Sequence, residues 1–288
     1  MLQVYRISAL FGAIAAFFGI VAGATPAQAQ IETSIGTFAP QVAGTTNYVF
    51  RGLSQSRKKP ALQAGLEYTY EIGTLTPYLG TFLSSTKFPS NNTPAGSTDI
   101  RQPREMDLYG GMRWKTPLEG LLIDLGFISY MYPGNTADEN RPAPNTYGNP
   151  QWNEVYGKAA YDFGLATAVA SLFYAKDFSY GSGKGMYYEG GFDVPLPLSL
   201  LGSARLGRQT IERNATWGTP DYTTWSLGLS RDMDWPIAFS ASLVYSDTNI
   251  KRGSSLGFDN VANANATLQP DTYEQTKGQV SFTLTKKF

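Results

Sequence analysis

Three pairs of carboxylates stand at short spacing along the chain: Glu67 with Glu71, Glu105 with Asp107, and Glu189 with Asp193. Two carboxyls about 5–10 Å apart with unequal acidities can cleave a glycosidic bond. Each of these pairs, however, lies on one face of an alternating segment. The bases Arg51, Arg113, Lys158 and Arg205 occupy the same kind of position, as do the acids Glu154 and Asp193. Interdigitated charge of both signs makes a solvated wall more simply than an acid–base dyad. The chain of 288 residues has no histidine and no cysteine. It therefore lacks the base of Ser-His and Asp-His hydrolases and the usual ligands of zinc. Gly181-Ser-Gly-Lys-Gly185 resembles a phosphate loop only superficially, since no Ser or Thr follows Lys184. No catalytic residue, metal or cofactor is expected.

The elements that hold these residues are strands. The last twelve residues, Lys277 to Phe288, set Val280, Phe282, Leu284 and Phe288 against Gln279, Ser281, Thr283, Thr285 and Lys287. A period of two with one oily and one wet face marks a strand between lipid and water. Twelve such segments are expected: Gly44–Leu53, Ala61–Ile72, Leu75–Ser85, Arg104–Lys115, Leu121–Tyr132, Trp152–Tyr161, Leu165–Lys176, Met186–Val194, Leu198–Arg208, Tyr222–Arg231, Ile237–Ser246 and Thr272–Phe288. At about 9–12 residues most can cross hydrocarbon when tilted. Short connections such as Gly73-Thr74 and Asp162-Phe163-Gly164 alternate with long ones such as Thr86–Pro103, Pro133–Gln151 and Asp247–Asp271. This is the pattern of an all-β, up-and-down, closed antiparallel transmembrane barrel, short turns on the periplasmic side and long loops outside. Closure follows because an unpaired edge cannot be left in hydrocarbon. The last strand is expected to pair with the first, roughly Val42 to Leu53.

Composition and the N-terminus agree. Aromatics are 14% of the chain and charged residues only 16%, as suits a wall that is apolar on one side. Arg6, the apolar run Ile7 to Ala22 and the box Ala27-Gln28-Ala29 read as a secretory signal peptide over residues 1–29, leaving one barrel domain over 30–288. Removing Arg6 leaves a single acid in excess, which argues against a nucleic-acid partner. The expected partners are outer-membrane lipid, the barrel-assembly machinery acting on the closing strand, and small hydrophilic solutes. The expected location is the outer membrane of a Gram-negative bacterium.

The run Asn47-Tyr-Val-Phe-Arg-Gly-Leu-Ser-Gln-Ser56 followed by Lys59-Pro-Ala-Leu-Gln-Ala-Gly-Leu-Glu-Tyr68 resembles the opening of the TorF family of porins. Asp107-Leu-Tyr-Gly-Gly111, Tyr130-Met-Tyr-Pro-Gly134, Asn153-Glu-Val-Tyr-Gly157, Asp221-Tyr-Thr-Thr-Trp225 and Val244-Tyr-Ser-Asp-Thr248 continue the likeness in order. Two departures stand out: the loops Pro133–Gln151 and Asp247–Asp271 are long for that family, and Lys286 replaces the apolar residue of many closing strands. The resemblance implies an outer-membrane barrel.

The resulting expectation is a passive channel with a polar, mixed-charge lumen. Its lining would include Arg51, Glu67, Glu71, Asp107, Arg113, Glu154, Lys158, Glu189, Asp193 and Arg205. Arg51 is placed inward on the first strand, because lipid exposure would cost it about 2–4 kcal/mol, either in a salt bridge to a neighbouring inward acid such as Glu67 or as an anion-attracting point in the constriction. Val280, Phe282, Leu284 and Phe288 would form the assembly signal. Two aromatic girdles are expected, Tyr68, Tyr70, Trp114, Trp235 and Phe288 at one interface and Tyr130, Tyr132, Trp152 and Tyr174 at the other; Tyr130, Tyr132 and Trp152 are also in phase with the charged residues, which leaves a minor role in solute contact open. The alternative is a non-conducting barrel with a structural or surface-binding role, its lumen filled by inward side chains and the segment Ile31–Pro40.

Overall fold

The computed structural model describes residues 31–87, 104–133, 150–214, 220–233, 238–251 and 275–288. The signal peptide, Trp235 and most of three long loops lie outside these residues. The strands are β1 (Ile31–Thr33), β2 (Gly36–Thr45), β3 (Val49–Phe50), β4 (Leu53–Ser54), β5 (Ala61–Thr69), β6 (Leu75–Ser85), β7 (Arg104–Lys115), β8 (Leu121–Met131), β9 (Trp152–Asp162), β10 (Thr167–Ala175), β11 (Gly185–Leu196), β12 (Leu200–Ile211), β13 (Tyr222–Met233), β14 (Phe239–Thr248) and β15 (Gln279–Lys287). From β5 to β15 each strand pairs antiparallel with the next. β2 joins both ends, meeting β5 along Thr37–Thr45 and β15 along Gln41–Thr45. Twelve strands thus form a sealed ring. Every strand edge within it is paired, as hydrocarbon requires.

Side-chain alternation sorts the two faces. Leu62, Leu66, Leu79, Leu83, Leu108, Met112, Leu125, Leu172, Leu206, Leu227 and Leu243 all point outward and are exposed. So do Val280, Phe282 and Leu284 of the closing strand. The phases that the sequence left open are settled: Tyr78 and Phe82 of β6 and Val169 and Phe173 of β10 face the lumen. Lys286, on the outward side, bends its ammonium to the Ala238 carbonyl (3.0 Å) and to the Phe288 ring (5.6 Å), keeping its charge out of the apolar belt. Leu125→Arg, at a position 61% exposed in the middle of β8, is expected to cost about 2–4 kcal/mol in denaturant titrations of folding into vesicles.

Three expectations are corrected. The first barrel strand is Gly36–Thr45, not Gly44–Leu53; the chain leaves the wall at Thr46 and turns inward. Ile31–Pro40 does not fill the lumen, because Ile31–Thr33 folds back on β2 as an exposed hairpin. Tyr130, Tyr132 and Trp152 are not a girdle. All three are buried inside the ring.

Candidate functional site: a hairpin across the lumen

The segment that leaves the wall after β2 makes a small hairpin. Phe50 pairs with Leu53, so Arg51-Gly52 is a two-residue turn. Both residues have positive φ, 48° and 81°, the requirement of the type I′ turn that matches strand twist. Asn47 braces its base by accepting from the Ser54 hydroxyl (2.6 Å) and donating to Gln279 Oε1 (2.8 Å). Ser56 adds two contacts, its Oγ accepting from the Tyr48 amide (2.9 Å) and donating to the Lys59 carbonyl (2.7 Å). The polar residues of the Asn47–Ser56 run thus hold one loop in one shape.

The hairpin reaches walls on every side. Arg51 Nη2 and Nη1 donate to the two Glu154 oxygens of β9 at 2.6 and 3.0 Å, and Nη1 also donates to Gln209 Oε1 of β12 at 2.8 Å. The guanidinium lies 4.5 Å from the Tyr187 ring, 4.8 Å from Phe50 and 5.2 Å from Phe173. Tyr48 donates to Glu105 of β7 at 2.6 Å. Gln279 of β15 donates to the Gly52 carbonyl at 2.8 Å. Phe50 sits edge-on to Tyr130 (5.8 Å) and Trp152 (6.4 Å), which stack on each other at 4.2 Å. Gly52 is so close to β13 and β14 that a Cβ there would overlap Thr224 and Thr248. This one loop therefore touches β7, β8, β9, β12, β13, β14 and β15.

Gly52→Ala must meet both that overlap and a backbone region that disfavours side chains by about 1–2 kcal/mol. The expected outcome is an undocked hairpin, with tryptic cleavage after the normally buried Arg51 faster by about tenfold. Peptide mass mapping would detect it; unchanged cleavage would mean that the close contact does not hold the hairpin in place.

Toward the short-turn side the lumen wall divides into two unlike halves. From β5 to β12 it carries charge and aromatic rings. Arg113 grips Glu67 with two bonds of 2.8 Å, and its guanidinium covers the Tyr78 ring at 4.1 Å. Asp124 accepts from Tyr78, which also bonds Tyr156. Lys158 rests over Tyr156 at 4.5 Å. Arg205 donates to Asp193 at 2.6 Å and stands 4.0 Å from Glu189, which Tyr187 also engages. The far ends of three tyrosine rings lie against glycines of the neighbouring strand, Tyr109 against Gly80, Tyr156 against Gly126 and Tyr187 against Gly207. Only a residue without Cβ leaves room for them. From β13 through β15 to β2 the inward positions are mostly hydroxyl-bearing or amide residues, Ser226, Ser230, Ser242, Ser281, Thr283, Thr285 and Gln41, with Asp232 and Lys287 the charged residues in the same phase nearest the short turns.

Of the residues expected to line the lumen, Glu67, Asp107, Arg113, Glu154, Lys158, Glu189, Asp193 and Arg205 face it from the wall. Arg51 does so from the hairpin tip. Its partner is Glu154 and not Glu67, which Arg113 occupies; the turn carries Arg51 across the barrel to a residue 103 positions away. Glu71 does not line the lumen proper. It stands past the end of β5, exposed at the short-turn rim, 3.5 Å from Lys115. Sequence reasoning did not single out Asp124 or Gln209, nor the inward tyrosines Tyr78, Tyr109, Tyr156 and Tyr187. Their signal was present, because each is in phase with a named lumen residue of its own or the adjoining strand.

No curated protein matches the chain. Among solved structures, a Pseudomonas aeruginosa FadL homologue superposes with a TM-score of 0.50 at 12% identity, over 89% of this chain and 76% of that one. The KdgM porin gives 0.47 at 8% identity, covering 87% and 99%. Escherichia coli outer membrane phospholipase A gives 0.45 at 11%, covering 88% and 97%. At these identities the likeness is one of fold. The model of a bacterial protein family of unknown function (Gcw_chp) matches residues 29–276, and the chain belongs to that family.

Proposed function

We propose that this protein is an outer-membrane channel of low throughput for small hydrophilic solutes, with the Thr46–Pro60 hairpin as its narrowest section. The observation that carries the proposal is the pairing of an apolar outer belt with a polar inner wall in a ring without open edges. A barrel serving only as a rigid anchor has no need of a hydroxyl-lined half. The motifs resembling TorF-family porins support the same reading, and the N-terminal signal and the alternating closing strand support export and insertion by the assembly machinery. Solutes would diffuse along the Ser/Thr side, filtered by width and by mixed charge. An enzymatic role has little to draw on: there is no histidine, and the carboxylates Glu67, Glu154 and Asp193 are each engaged by an arginine. The hairpin's contacts with so many strands favour a second reading, a barrel that conducts nothing. Planar-bilayer recording of the refolded chain separates the two. Discrete current steps are expected, and their absence under conditions where folding is confirmed would leave the non-conducting barrel.

A further inference from the structure

Where β5, β6 and β7 reach the long-loop side, the rim of the barrel carries five bases, Arg57, Lys58, Lys59, Lys87 and Arg104. Leu62, Leu83 and Leu108 stand exposed on the outward face of these strands. Arg104 begins β7 on the face that Leu108 also shows, and lies opposite Ser85 in the β6–β7 register. Lys87 follows two residues beyond Ser85. Its amide donates to the Gln55 carbonyl at 2.8 Å, which ties the end of β6 to the turn presenting Arg57, Lys58 and Lys59. The Leu62 amide, donating to Ser85 Oγ at 3.0 Å, holds β5 in the same place. Lys58, Lys59, Lys87 and Arg104 are all exposed, and among the described residues none of the four has a salt bridge.

The turn that presents three of these bases is not one that local preference would give to them. Arg57 and Lys58 both hold φ at 54°, a left-handed backbone that disfavours any residue with a Cβ and suits Gly or Asn better. Side chains of the hairpin enforce it. Ser54 Oγ accepts from the Lys58 amide at 2.8 Å, the Lys59 amide donates to the Ser56 carbonyl at 3.0 Å, and Ser56 Oγ donates to the Lys59 carbonyl at 2.7 Å. Backbone held in so sparse a region gathers where a ligand is clamped. Elsewhere the long-loop rim mixes its signs: Arg213 stands 4.0 Å from Asp177, and Glu212 accepts from the Lys184 amide at 2.8 Å. The unopposed positive charge is confined to the β5–β7 side.

We propose that this part of the rim binds the phosphates of the glycolipid that makes up the outer leaflet of the outer membrane. Arg104 offers a planar fork to a phosphate, and Lys58, Lys59 and Lys87 offer ammonium groups on flexible stems. Clusters of four or more bases at the edge of an apolar span attract anionic head groups. The acyl chains of the same molecule would lie on Leu62, Leu83 and Leu108, just below the bases. One amphiphile therefore meets both the charged rim and the oily wall, which a soluble phosphate or an acidic protein does not. The inference rests on the outer-membrane reading above, with the long loops outside.

The test is native mass spectrometry of the refolded full chain titrated with diphosphoryl lipid A in detergent micelles. Wild type should retain the lipid, and should retain the same lipid stripped of both phosphates far less. The triple variant Lys58→Gln, Lys87→Gln, Arg104→Gln should weaken retention by roughly a hundredfold, each base near an anionic surface being worth about a fivefold factor. Lys176→Gln with Lys184→Gln, on the mixed-sign part of the rim, should match wild type. Should the triple variant fail to refold, Arg104→Gln alone takes its place, with a loss of about fivefold. No retention by wild type, or undiminished retention by the variant that folds, would overturn the site. Equal retention of the phosphate-free lipid would mean that the apolar wall alone holds it, which also overturns the site. Displacement of lipid A by inorganic phosphate at constant ionic strength would overturn the lipid as the occupant. Lipid A retained by a barrel that passes no current would overturn the channel reading and leave this site standing; current from a chain that retains no lipid A would do the reverse.

Discussion

Excising Tyr48–Ser56 and joining Asn47 to Arg57 through a short Gly-Ser turn should raise single-channel conductance by roughly fivefold or more. A twelve-stranded ring has a bore only moderately wider than the smallest filled barrels. At the hairpin level Tyr48 and Phe50 form one buried cluster with the rings they pack against, and Arg51 is buried beside them. What is left for ions is the space between side chains, so removing the hairpin changes the limiting cross-section itself. The wall should survive the excision, because the barrel strands pair with one another and none with β3 or β4. A conductance equal to wild type would mean that the hairpin is not the narrowest point.

The second large effect concerns the ion pair that pins the hairpin tip. Arg51→Ala strands Glu154, a side chain with 0% exposure, and Glu154→Ala strands Arg51. Breaking a buried pair from one side typically costs about 3–5 kcal/mol. The double replacement strands neither charge, so its cost should fall well short of the summed single costs, by more than about 1 kcal/mol. Denaturant titrations in detergent micelles would give all four corners of the cycle. Part of each single cost can be relieved if the hairpin swings out and lets water reach the orphaned group. In Glu154→Ala, increased tryptic cleavage after Arg51 alongside a smaller stability loss would be the sign of that. Additive single effects would show that the two side chains do not act on each other.

These two experiments bear on the part of the molecule that the sequence conveyed least. The wall was legible because lipid enforces alternation: Leu62 and Leu66 against Glu67 on β5, or Val280, Phe282 and Leu284 against Gln279 and Thr283 on β15, can face only one way. The alternation of short and long connections then fixed the direction of every strand. The hairpin obeys a different rule. Tyr48-Val49-Phe50 has strand propensity and Phe50 and Arg51 differ in polarity, so the segment reads as a continuation of the first strand. The decisive feature is the backbone at Arg51-Gly52, a turn with both φ positive that most often announces itself as Asn-Gly or Asp-Gly. Arginine in the first position hides it. The pairing of Arg51 with Glu154 was likewise beyond reach, since it depends on how far the tip extends across the ring. For Tyr130 and Trp152 the phase shared with Glu154, and not with the lipid-facing Val155, already pointed inward, and the structure favours that placement over a girdle.

The central claim is a polar lumen that is wide toward the short-turn side and narrowed toward the long loops by the Thr46–Pro60 segment. The chain has no cysteine of its own, so a single Ser226→Cys gives a clean probe. Ser226 faces the lumen one step along β13 from Thr224, the residue against which Gly52 packs. A membrane-impermeant thiol reagent should modify this cysteine at least about tenfold faster from the short-turn side than from the long-loop side, while Leu227→Cys on the lipid face should react from neither. Equal rates at Ser226→Cys from both sides would contradict the account.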